Sequence, residues 1–150
     1  MDKIDRLIKK MEAFNMNEAV NSAVKKNELK VLELNTGSQL YNKGITSDGK
    51  TIKPSYSKPY AALKRRMGIP SGRVTLFLSG SLYKGFKITY GKDHISFGAP
   101  GYTTSRGFQL PEHLKKRYGN LIFGLTPKNV QSTGQIIKPE ISKQLRKAIS

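Results

Sequence analysis

The chain has no cysteine, no tryptophan and only ten acidic residues among its 150. Without thiols it has no disulfide, thiol nucleophile or thiolate metal site, a usage that suits a reducing interior. Acids thin out after Glu33, so no acid–base pair is evident for catalysis. The two histidines, His94 and His113, have no second histidine or carboxylate at metal-ligand spacing. They are therefore expected to be structural or exposed, with no metal and no other cofactor. Asp93 beside His94 is explained by turn chemistry. Long apolar runs are missing too. Nothing approaches the ~20 residues of a membrane span. Residues 1–14 lack the uninterrupted apolar stretch of a signal peptide. A soluble chain with no membrane contact is expected, and no internal repeat or low-complexity tract appears.

What is present in excess is positive charge: 27 Lys and Arg, for a net +17. Residues 1–33 carry +1, residues 34–92 carry +10 and residues 93–150 carry +6. Charge of this size repels itself unless a polyanion or an acidic partner neutralises it. The length suits one domain over 1–150.

Hydrophobic spacing divides that domain. Over 1–43, Ile4, Leu7, Ile8 and Met11 recur at helical spacing, with Asp2 and Asp5 leading and Lys9 and Lys10 trailing. A second, longer helix is predicted from Asn15 or Asn17 to about Asn42, carrying Val20, Val24, Val31, Leu34 and Tyr41 on one stripe, with Ala23 and Leu40 beside them. Gly37 would bend it or admit another backbone. Residues 44–59 have turn clusters and no period, so they read as a long loop. Over 60–107 the pattern gives a short basic helix ending at Gly68, an extended stretch at 73–78 and a turn with a short helical piece at 79–83. A hairpin follows in which Phe86, Ile88 and Tyr90 pair with Ile95 and Phe97, then a polar loop over 98–107. Residues 108–150 supply a helix over 111–118, a short third strand at 121–125 and a C-terminal helix from Pro139 to Ile149. The predicted class is α+β: N-terminal helices packed on a small, mainly antiparallel sheet, closed by a C-terminal helix.

Three glycine strings carry no catalytic signature. GITSDGK at 44–50 does not match the P-loop and follows no strand. Ser-Gly-Ser at 79–81 lacks the glycines of a nucleophile elbow. Gly-Ala-Pro-Gly at 98–101 is a loop. The basic clusters say more. Lys64, Arg65 and Arg66, and again Lys115, Lys116 and Arg117, put three cations on a short helix near Tyr60 and Tyr118. With Arg73, Lys84 and Lys87 they are the candidates for facing DNA or an acidic partner, since Lys and Arg give affinity for phosphates without reading sequence. Ile45, Asp48, Lys50, Ile52 and Tyr56 are the candidates for a subunit-contact loop. No small-molecule substrate is expected. The charge alone would also suit a free, sequence-independent nucleic-acid-binding protein, although no helix-turn-helix, zinc finger or RNA-recognition phrase is present.

Four phrases from Leu40 to Ala99 add a resemblance. They are Leu40-Tyr-Asn-Lys-Gly44, Lys53-Pro-Ser-Tyr-Ser-Lys-Pro-Tyr60, Leu63-Lys-Arg-Arg-Met-Gly68 and Leu76-Phe-Leu-Ser-Gly-Ser-Leu-Tyr-Lys-Gly85, followed by the hairpin. In this order they resemble the tail-completion or neck proteins of tailed bacteriophages, the virion-morphogenesis family. The aromatic often seen before the loop proline is missing here, and the residues after Gly107 match no phrase of that family. The resemblance implies a non-enzymatic virion protein, assembled in the host cytoplasm. It would be a subunit of a ring at the head–tail junction or upper tail, with copies of itself and neighbouring connector and tail proteins as partners. Double-stranded DNA would pass through the lumen.

Overall fold

A computed structural model describes residues 2–100 and 110–150. Among them are seven α-helices and one two-stranded antiparallel sheet, so the α+β class holds. Helix α1 (Lys3–Ala13) opens on a capping box: Asp5 N–H donates to Asp2 Oδ1 at 2.8 Å, satisfying one of the free donors of the first turn. Asn15 caps α2 (Met16–Lys26) in the same way through Glu18 N–H. The predicted single helix to residue 42 is in fact three pieces. It breaks at Asn27, resumes as α3 (Glu28–Glu33) and widens into a π-helical segment, Leu34–Tyr41. Gly37 lies inside that segment. Outside the helix's own backbone, the nearest atoms to a Cβ there belong to the Glu33 side chain, 3.1 Å away.

Helix α4 (Lys58–Arg66) follows the 44–59 loop, capped by the Ser57 hydroxyl with Pro59 in its first turn. The 73–78 stretch is irregular rather than a strand. It leads to a single turn, α5 (Ser81–Lys84), and then to the hairpin of β1 (Lys87–Tyr90) and β2 (Ile95–Gly98). Ile88 pairs with Phe97 and Tyr90 with Ile95. A Cβ on Gly91 would lie 2.6 Å from the His94 ring, so any larger residue in the turn would have to displace that ring. Helix α6 (Leu110–Tyr118) matches the expected short helix. Of the polar loop predicted over 98–107, residues 101–107 lie outside the described residues.

The predicted third strand at 121–125 does not form. A 3-10 turn, Asn120–Ile122, occupies its start, and the following backbone pairs with side chains instead of a strand. Helix α7 runs over Pro127–Ile149, one turn after another through Pro139, where the expected helix began. Proline is tolerated because residue 139 lies on the exposed face, where the carbonyl it leaves unbonded meets water.

Two clusters hold these elements together. In the helical one, Ala23, Val24 and Val31 from α2 and α3 meet Ile137 of α7 and Ile88 of β1. In the other, Leu40, Ile52, Val74, Leu82, Phe86, Ile122 and Phe123 close around an aromatic chain. Its rings run Tyr41, Phe77, Tyr83, Phe86 and Phe123, each 5.1–6.0 Å from the next and none stacked face to face.

Candidate functional site

The expected cationic surface divides once the helices are in place. Lys64 is a correction: it faces inward from α4 and is fully buried, so its charge is not part of the outward cationic surface. Its ammonium donates to the Phe77 carbonyl, to Thr75 Oγ1 at 3.3 Å and to Tyr56 Oη at 3.4 Å. It also sits 4.6 Å from the centre of the Tyr56 ring and 5.6 Å from that of Tyr60. Among the described residues no carboxylate pairs with it. Burial therefore pulls its pKa below the usual lysine value. Arg65 and Arg66 point the other way and are exposed.

Arg73 is half-buried, and its Nε donates to the Tyr41 carbonyl at 2.7 Å, tying the 73–78 stretch to the π-helical segment. Lys115 lies over the Phe123 ring and pairs with Glu112 at 3.5 Å. Lys84, Lys87 and Lys116 are exposed. Arg117 is exposed along the Tyr118 side chain, donating to its hydroxyl at 3.2 Å.

The subunit-contact loop also divides. Ile52 is another correction: it is 2 % exposed and belongs to the core. Tyr56 turns inward, and its hydroxyl accepts from Thr75 N–H at 3.1 Å and Leu76 N–H at 3.0 Å. Ile45 bridges Thr51. Of these five, Asp48 and Lys50 are exposed, at a turn where the Thr46 hydroxyl holds the Asp48 carboxyl below its usual pKa.

Beside these residues lies a cleft of about 730 Å³ between α4 and α6. Tyr56, Ser57 and Tyr60 form one wall; Leu114, Arg117 and Tyr118 form the other. The floor is Leu76 and the Leu78–Leu82 turn. Leu76 holds a left-handed φ of +60°, unusual for a bulky side chain and fixed by its N–H bond to Tyr56. Among the described residues the lining supplies hydroxyls, aromatic faces, the His113 imidazole and the Arg117 guanidinium but no carboxylate, so it suits an anionic or neutral group rather than a cation. Among the described residues no set of three or more His, Cys, Asp or Glu could hold a metal, and no helix is long and apolar enough to cross a membrane.

One feature escapes sequence reasoning altogether. Asn35 and Gln39, buried on the π-helical segment, act as a strand edge for residues 122–126. Asn35 accepts from Gly124 N–H at 2.9 Å and donates to the Ile122 carbonyl at 3.2 Å. Gln39 donates to the Gly124 carbonyl at 2.8 Å and accepts from Thr126 N–H at 2.9 Å and from Asn129 Nδ2 at 2.8 Å. The only sequence signal is two amides four residues apart, Asn35 and Gln39, in the polar stretch between Leu34 and Leu40. No protein-family model, curated protein or solved structure matches the chain.

Proposed function

We propose that the protein is a non-enzymatic structural component of a tailed-phage virion. It is a ring-forming subunit at the head–tail junction or upper tail, between portal-side proteins and the tail and around the DNA path. The observation that carries the reading is where the four family-like phrases fall. Leu40, Ile52, Tyr56, Lys64 and Leu82 lie in or beside them and together build the aromatic core and its buried lysine. The phrases thus form one connected framework rather than scattered matches. The outward Arg65, Arg66, Lys84, Lys87 and Lys116 add a diffuse positive surface. Such a surface tolerates any DNA sequence, and it would equally hold an acidic neighbouring ring.

Electron cryomicroscopy of intact particles tests this. The reading requires the chain in a multi-subunit ring at the neck or upper tail. A chain absent from particles and monomeric in the infected cell overturns it.

A further inference from the structure

Helix α1 has the least complete packing in the described chain. None of its residues is buried. Ile4, Leu7, Ile8 and Met11 are 67, 39, 46 and 53 % exposed. At helical spacing these four form a single apolar stripe. The helix is tied to the body at its C-terminal end, where Lys10 Nζ donates to the Ser150 carbonyl at 2.6 Å and Phe14 lies near Ala148 of α7. Apolar stripes left open on a domain surface mark interaction sites.

The charges beside the stripe name its cover. At about 100° per residue, Asp5 and Glu12 run along one side of it and Lys3 and Lys10 along the other. When two such helices pair in parallel, the acidic side of each meets the basic side of the other. When they pair antiparallel, acid meets acid and base meets base. The wider charge distribution agrees. Residues 1–33 carry +1 and the rest of the chain +16, so this is where a second copy can approach with little repulsion. A nucleic acid offers no apolar cover, and the acidic side disfavours an anionic membrane.

We propose that α1 is a self-association helix, pairing in parallel with α1 of a second copy. The rotation axis relating the two runs along the helices, as in cyclic assemblies. The inference does not require a phage particle. If the isolated chain is monomeric but forms a neck ring in particles, the inference fails and the ring reading stands; the reverse result separates them the other way.

Sedimentation equilibrium of the full chain tests it, with far-UV circular dichroism to confirm folding. The wild type is expected to associate in a concentration-dependent way. Ile8→Lys is expected to weaken that by about tenfold or more. Glu12→Lys also weakens it, because the reversed charge faces the basic side of the second copy's helix. A wild type that is monomeric throughout, an Ile8→Lys variant that associates like the wild type, or a Glu12→Lys variant that associates more tightly overturns the proposal. The last result would mean antiparallel pairing.

Discussion

Replacing Lys64 separates a structural cation from an interface cation. Lys64→Ala removes three methylenes and the ammonium from a site with no solvent access. The transfer term alone is about 2.4 kcal/mol at ~0.8 per methylene. The cavity and the acceptors left at Phe77 and Thr75 add to this and relief of the desolvated charge offsets part of it, leaving a loss of roughly 2–4 kcal/mol. Lys64→Met keeps most of the volume. It gives up a charge-assisted bond of ~1.5–3 kcal/mol and the ring contacts, but it also removes a desolvated charge costing several kcal/mol. Its net change is therefore within about 2 kcal/mol at neutral pH.

The pH dependence carries the sign. Burial lowers the folded-state pKa below the unfolded 10.5. Below the lowered value both states hold the proton, and the native state bears the cost. Between it and 10.5 the native state has released the proton and the unfolded state has not. Wild-type stability then rises with pH, by at most ~1.4 kcal/mol per unit relative to Lys64→Met. Urea denaturation across alkaline pH measures this, and reductive methylation read by mass spectrometry should leave Lys64 unmodified in the native protein. Equal pH profiles for the two proteins, or rapid methylation of Lys64, would refute the reasoning.

Three further outcomes are expected. Replacing Arg65, Arg66 and Lys116 together by alanine should leave thermal stability nearly unchanged; if the polyanion is DNA, removing each cation–phosphate pair should flatten the salt dependence of binding by about 0.9 in log–log slope. Gln39→Leu should cost roughly 2–4 kcal/mol in urea denaturation, because Thr126 N–H and the Gly124 carbonyl lose their partner inside the fold. The Tyr90 hydroxyl is buried beside the Glu28 carboxylate, and burial first, then that carboxylate's charge and hydrogen bonding, push its pKa up to about 12. Between pH 10 and about 12 the unfolded tyrosine ionises before the folded one, so wild-type stability should fall with rising pH relative to Tyr90→Phe in the same assay.

Elements with a strong local signal were legible in the sequence. The first helix, the start of the second at Asn15 or Asn17, the proline-led α4 and the alternating hairpin all depend on residues within a few positions of one another. What was hidden depends on distant partners. A run such as Leu-Ile-Phe-Gly-Leu at 121–125 has strand-like composition, but Asn35 and Gln39, some 85–90 positions away, satisfy its backbone instead. Lys64 was hidden for a related reason. In sequence it stands in a run of three cations, and only the helix phase, set by Tyr60 packing on Tyr56 at 5.0 Å, turns one inward and two outward. Ile52 looked like loop because a single core residue in a turn-rich stretch has no period to reveal it.

That division bears on what the family-like phrases can carry. Tyr56 binds Thr75 and Leu76 through its hydroxyl, Lys64 caps the Phe77 carbonyl, and Leu82 fills the core beneath. These residues interlock the loop, α4 and the turn before α5, so their order in the chain encodes a scaffold. The outward positions are others: Arg65, Arg66, Lys84, Lys87 and Lys116 on one side, and the stripe of α1 on the other. A chain can keep the scaffold while these outward positions change. Arg65, Arg66 and Lys84 lie within the phrases but outside their buried contacts, so a partner-specific role is to be sought at the outward positions rather than at the buried ones. Mutating the scaffold would report on folding, and mutating the outward cations or Ile8 would report on assembly.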